Sequence, residues 1–263
     1  MVLQNIVAIF QKEFQSYFKS PLAYIVAGIF WLIAGIFMVN ILLGEQGIIQ
    51  EVAYGEQLGI PLEPIDVPYI FLTTFFSVLG SLCLFILPIL SMGLYTEERK
   101  AGTLELLATS PISNWVIALG KLLGVVAFFI FLIMPFLLYE AIIFSASNPA
   151  MPFAVTLSAH LGLILLATAL LSWGMFISSL TDSNIISAIL TFALILFLWI
   201  IDIIANNIDG AISELLQQLS LIESYNNLIN GIWAINNIVL LLSYIFLGIF
   251  FTAQSVEMLR HQQ

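Results

Sequence analysis

Six stretches of predominantly apolar residues set the terms for this chain: about Leu22–Leu43, Tyr69–Tyr95, Trp115–Phe144, Val155–Leu180, Ile185–Ile201 and Ile238–Val256. A hydrocarbon layer roughly 30 Å thick is crossed by about 20 helical residues, and these stretches are of that order. Inside lipid the backbone must satisfy its own hydrogen bonds, so apolar runs of this length fold as helices. The expected fold class is an all-α integral membrane protein with six transmembrane helices. Only 8% of the 263 residues are charged, against roughly 25% in soluble domains, which removes the soluble alternative. The second and third stretches have length to spare for tilt or for extension beyond the membrane. Pro88 and Pro135 lie inside them and predict kinks.

Orientation follows from the basic residues. With the N-terminus inside, Lys12, Lys19, Arg99, Lys100, Lys121 and Arg260 all fall at the cytoplasmic side. The other side then holds Glu45, Glu51, Glu56, Glu63, Asp66, Glu140, Asp202, Asp209, Glu214 and Glu223, so the whole net charge of −10 falls there. Both termini are expected in the cytoplasm. The start of the chain does not read as a secretory signal, because Lys12 and Lys19 follow the first apolar positions and no small-residue cleavage site comes after them.

Residues 1–19 precede the first span. At 100° per residue, Leu3, Ile6, Val7, Phe10, Phe14, Tyr17 and Phe18 share one arc, with Gln4, Gln11, Lys12, Gln15 and Lys19 opposite. This pattern predicts an amphipathic helix over Val2–Lys19 lying in the membrane interface. Ser20-Pro21 suits a new helix start, Ser as N-cap and Pro in the first turn. On the outer side, Gly44–Pro68 is expected to be irregular with at most a short helix. Ile208–Glu223 carries Ile208, Ile212, Leu215, Leu219 and Ile222 on one face and is expected as a second amphipathic helix. It belongs to an extracytoplasmic or re-entrant segment over 206–236. The chain as a whole, 1–263, reads as a single transmembrane domain.

Catalytic chemistry is hard to place here. There is no H-E-x-x-H and no G-x-S-x-G, and Gly120-Lys121 is followed by Leu122 rather than by Ser or Thr, so it is not a phosphate-binding loop. His160 and His261 are far apart, without ligand spacing, and no metal site is expected. Cys83 sits alone in an apolar run, and the acidic balance argues against nucleic acid. His160 is expected to make an interhelical hydrogen bond, and Glu140 and Asp202 to reach water at outer helix ends. Gly120-x-x-x-Gly124 permits close helix approach, although one such motif is ordinary in a membrane protein.

The remaining feature is the charged segment 96–114 between the second and third spans. Gly102 suits the end of the helix that Thr96-Glu97-Glu98-Arg99-Lys100 prolongs. Thr103 suits the N-cap of a short helix over Leu104–Thr109, with Glu105 in its first turn, Pro111 as its stop and Ser113 as cap of the third span. Leu104, Leu106 and Leu107 then stand outside the bilayer and need a cover, from this chain, from the interface or from a partner.

The run Glu97-Glu98-Arg99-Lys100-Ala101-Gly102-Thr103-Leu104-Glu105-Leu106-Leu107, with Thr109-Ser110-Pro111-Ile112-Ser113, resembles the signature of ABC-2-type transporter permeases. Leu219-Ser220-Leu221, Asn230-Gly231-Ile232 and Glu257-Met258-Leu259-Arg260 are similar to the gliding-motility and nitrous-oxide-reductase-maturation branch. The resemblance implies a multi-pass permease of a prokaryotic cytoplasmic (inner) membrane that exports or moves a substrate. It implies a separate ATP-hydrolysing subunit that binds ATP and Mg, so this chain needs no cofactor, and a second permease copy, identical or related. By the same resemblance, Leu104, Leu106 and Leu107 are the knob seated in the ATPase. Glu97, Glu98, Arg99 and Glu105 surround it, Gly102 and Pro111 set its angle, and Thr103 belongs to the same ATPase-coupling segment. The Val2–Lys19 helix, with Phe10 and Phe14 on its apolar face and Lys12 and Lys19 on its polar one, lies beside it. Two alternatives stay open: a secondary transporter or channel, and a non-transporting scaffold for envelope machinery.

Overall fold

The computed structural model describes residues 2–57, 66–103, 112–145, 152–207 and 210–261. Among them are twelve helices and no strands. They are α1 Val2–Lys19, α2 Pro21–Leu43, α3 Ile48–Gln57, α4 Val67–Ser91, α5 Gly93–Lys100, α6 Asn114–Ile133, α7 Phe136–Ser145, α8 Phe153–Leu180, α9 Asn184–Asn207, α10 Ala211–Gln218, α11 Leu221–Ile229 and α12 Ile235–His261. Six of these segments are long and apolar enough to span a membrane: α2, α4–α5, α6–α7, α8, α9 and α12. They coincide with the six stretches expected from hydropathy.

The helices share two ends. α1, α5, the start of α6 and the last turns of α8 and α12 gather at what we call the near end; α3, α7, α10 and α11 lie at the far end. α8 is the hub, packed against α4, α5, α6, α9, α11 and α12. Its small residues explain why. A Cβ on Gly162 would come within 2.9 Å of Leu228, and one on Gly174 within 2.6 Å of the Ser91 Cβ. From the other side, a Cβ on Gly248 of α12 would lie 2.7 Å from Ser172. Where lipid and protein interior are equally apolar, such close approach is what favours helix against helix over helix against lipid. By contrast α2, α9 and α12 leave most of their apolar surface on the outside, including Ile29, Leu32, Ile189 and Phe246.

The two proline-bearing spans are interrupted differently. The third breaks at Met134-Pro135, as its proline predicts, and the Trp31 indole donates to the Leu132 carbonyl beside the break at 2.7 Å. In the second span, Pro88 lies within a helix that continues to Ser91, and the interruption falls at Met92. Its cause is a side chain. The Ser178 hydroxyl donates to the Met92 carbonyl (2.9 Å) and accepts from the Tyr95 and Thr96 amides (2.9 and 3.2 Å). The Ser178 hydroxyl takes the Tyr95 amide, whose helical partner would be Ser91 O, and a side chain inserted into the ladder in this way is a recognised origin of kinks.

Helix starts follow the expected residues in part. Ser20 and Ser113 occupy N-cap positions, but neither hydroxyl makes a capping bond. Asp66 does cap α4, accepting from the Tyr69 amide at 3.1 Å. The far-end helix expected over Ile208–Glu223 is instead two, α10 and α11, parted at Leu219-Ser220. Ser220 is the reason: its hydroxyl accepts from the Glu223 amide at 3.0 Å and starts α11 afresh. α11 is sunk among the spans. Tyr225 reaches Gly80, thirteen residues into α4, and donates to the Phe76 carbonyl at 2.5 Å, while Ser158 donates to Leu228 O. The turn expected around Ser147-Asn148-Pro149 lies outside the described residues.

Candidate coupling site

α5 carries the second span out to the charged segment, and its end is well defined. The Gly102 amide bonds Arg99 O (3.1 Å) and the Thr103 amide bonds Glu98 O (2.9 Å), with Gly102 at φ +68. These two bonds make a Schellman stop, whose left-handed residue favours glycine. The helix end predicted from Gly102 is therefore present. Leu104, Glu105, Leu106, Leu107 and Pro111, with the short helix expected over Leu104–Thr109, lie outside the described residues.

The charged residues of α5 divide into two groups. Glu97 and Lys100 are exposed, as are Gly102 and Thr103. Glu98 and Arg99 are used inside the chain. Arg99 donates through Nη1 to Ser179 O at 2.8 Å, placing a cation at the last turn of α8, where the helix dipole favours it. Thr96 bonds Asn184 at the start of α9. Glu98 faces α1 and α6. Its two oxygens take Lys12 Nζ at 3.3 Å and Lys121 Nζ at 2.9 Å.

Lys121 is the centre of this arrangement. Its side chain is only 4% exposed, and it lies on α6 between Glu98 and Glu13, whose Oε2 is 3.3 Å away. It also donates to Leu94 O at 2.6 Å and sits 5.0 Å from the Tyr95 ring centroid. One ammonium thus ties α1, α5 and α6 together. Its carboxylate partners are almost as buried, at 13% and 14% exposure. Burial raises the Glu13 carboxyl above its usual range, with Glu98 adding to the rise, although the Lys121 charge opposes it.

α1 itself is seated rather than loosely laid. A Cβ at Gly120 would meet Ile9 Cβ at 2.8 Å, and one at Gly124 would meet Glu13 Cβ at 2.6 Å. The Gly120-x-x-x-Gly124 pair is the groove that admits α1. Further along, Tyr17 stacks on Phe128 at 4.7 Å and donates to Leu90 O at 2.7 Å. Of the predicted α1 residues, Phe10 and Phe14 stack on each other at 5.9 Å, Lys12 reaches Glu98, and Lys19 is exposed in the last turn. Glu13, Lys121, Ser178 and Ser179 were not predicted site residues. The small-residue pair at Gly120 and Gly124 was the sequence signal closest to them.

Two expectations about buried charge at the far end are corrected. Both carboxylates are turned into the bundle: Glu140 is 2% exposed, and Asp202, 8% exposed, lines an internal cleft beside α4 and α11. His160 makes no interhelical hydrogen bond through Nδ1, which faces Thr156 O of its own helix at 3.0 Å. Its Nε2 instead lies 3.6 Å from Glu140 Oε1. Glu140 lies on α7, beyond the break at Met134-Pro135, and is buried.

A family model described as ABC-2 family transporter protein matches residues 7–256, nearly the whole chain. No protein of curated function matches the chain.

Proposed function

The chain belongs to the ABC-2 transporter family, and from that premise we propose that it is the membrane-spanning permease subunit of an ABC transporter. It is a multi-pass membrane protein, and permeases of this family work with an ATPase subunit. In this reading the separate subunit binds ATP and Mg, hydrolysis drives export or movement of a substrate across a prokaryotic cytoplasmic membrane, and a second permease copy completes the pathway. The near end then faces the cytoplasm, in keeping with all six Lys and Arg lying in near-end segments.

The observation that carries the proposal is the construction of α5. It holds the start of the Glu97–Ser113 motif at a defined end, and Glu98 and Arg99 attach that end to α1, α6 and α8. Force applied to the segment beyond Gly102 would therefore reach these three helices through short, directional contacts. Rigid helices joined by charge-assisted hydrogen bonds suit the transmission of a domain movement. The test is reconstitution with the cognate ABC ATPase in nanodiscs. The expected result is a stable complex and an ATP turnover that rises on assembly; no complex and no rise would remove the proposal.

One observation favours an ion-coupled carrier instead. Glu140 and His160 form a buried ionisable pair within the spans, which is costly in a membrane and common in ion pathways. Proton-driven flux by the chain alone in liposomes, abolished in Glu140→Gln, would support that reading.

A further inference from the structure

A cleft of about 310 Å³ opens between α4 and α9, under α11. Its floor is apolar and buried, formed by Leu166, Leu170, Ile195 and Leu221. Its rim is polar, with Ser77 and Ser81 on α4, Asn226 on α11 and Asp202 on α9. The rim is rich in acceptors. The Ser77 and Ser81 hydroxyls spend their hydrogens on the Thr73 and Ser77 carbonyls at 2.8 and 3.0 Å, and the Tyr225 hydroxyl spends its own on Phe76 O. Each is left with oxygen lone pairs to offer.

Asp202 is the charged residue that lines the cleft, and Glu223 lies next to it in space. Asp202 is buried and accepts one hydrogen bond, from Ser220. Glu223, bonded to the same serine through its amide, has its Oε2 buried without a hydrogen-bond partner. Burial first, and then the Asp202 charge, raise the Glu223 carboxyl above its usual range. The sequence contains no Lys or Arg between Lys121 and Arg260, so neither α9 nor α11 supplies a countercharge. Buried charges are normally paired, and here the space beside Asp202 is open rather than filled.

We propose that this cleft binds an amphiphile with a primary or secondary ammonium head. The ammonium sits against Asp202 and donates to the Ser81 and Asn226 oxygens, and the alkyl chain lies along Leu166 and Leu170. Trp199, at the mouth and 38% exposed, packs beside the head. The volume is at the lower end of roughly 300–1,000 Å³ for small-molecule sites, enough for a head and part of one chain. The inference does not depend on ATPase docking, and binding is measured without it.

The full chain in phosphatidylglycerol nanodiscs is titrated with 11-bromoundecylamine, whose bromine quenches tryptophan fluorescence. Saturable quenching is expected, lost in Trp199→Phe, at least tenfold weaker in Asp202→Asn, and at least tenfold weaker for the neutral 11-bromoundecanol. Ser81→Phe, which narrows the mouth without touching Asp202, should abolish it. Equal binding by Asp202→Asn and the unaltered chain, equal binding of amine and alcohol, or unimpaired binding in Ser81→Phe would overturn the proposal. Replacing part of the lipid by phosphatidylethanolamine identifies the source of the amine. Competition assigns the site to a bilayer aminolipid, and its absence assigns it to a free amphiphile.

Discussion

Replacing Lys121 by Met keeps the aliphatic stem that packs between α1 and α6 and removes only the ammonium. Three acceptors then lose their donor: Glu13 Oε2, Glu98 Oε2 and Leu94 O. Breaking a buried ion pair by deleting one partner costs roughly 3–5 kcal/mol, because the other charge stays buried and unpaired. Lys12 remains near Glu98, but it is 69% exposed, and such pairs contribute about 0–1 kcal/mol. The two carboxylates also keep some access to water. The lower end, about 3 kcal/mol, is therefore expected. For a chain of this size about 1 kcal/mol moves the thermal midpoint by roughly 2–4 °C, so Lys121→Met should melt about 6–12 °C lower in detergent. Glu13→Gln made in the Lys121→Met background removes one of the two orphaned charges and should recover part of the loss. A double-mutant cycle measures that coupling, which should exceed about 1 kcal/mol. A melting shift below about 2 °C for Lys121→Met, or strict additivity of the two changes, would refute the idea that this ammonium joins the three helices.

Other consequences are equally direct. Because burial raises the folded-state carboxyl of Glu13, its contribution to stability is complete below its ordinary pKa and is lost as pH rises through the raised value; Glu13→Gln should flatten the stability profile upward from about pH 4.5, read by melting across a pH series. Gly124→Val places side-chain atoms where Glu13 Cβ already sits, and overpacking of this kind costs about 1–3 kcal/mol; protease accessibility of α1 should rise, while Gly28→Ala, with open space at its Cβ, should leave it unchanged. Glu140→Gln supplies an N–H to a histidine nitrogen that now faces an unpartnered carboxylate, so it should be neutral or stabilising in a melting assay, whereas His160→Ala should lower the midpoint by removing a buried ring packed edge-on against Phe76.

The spans were legible because hydropathy measures a helix against lipid, which is the environment that fixes their length. Val2–Lys19 was legible from its apolar arc, and the end of α5 from Gly102, since a left-handed residue leaves few choices. Which face of a helix meets another helix was much less so, because the core of the bundle and the lipid are alike in polarity. Glu98 and Arg99 show the consequence: their composition says only that they lie near water, while the fold turns them toward Lys121 and Ser179. Pro88 predicts a kink because a proline is visible in sequence, whereas the interruption falls at Met92, beside a serine eighty-six positions away whose hydroxyl no sequence pattern announces. Ser220 divided a helix that periodicity alone joined, because capping competes with a continuous ladder.

In the proposed permease, the segment after Gly102 docks on an ATPase through its leucines. The most direct test is Leu106→Asp in a chain co-expressed with its cognate ABC ATPase, compared at equal amounts of folded membrane protein. The ATPase is expected no longer to co-purify, and its turnover to fall to the level of the isolated subunit. An intact complex with undiminished ATP turnover would contradict it.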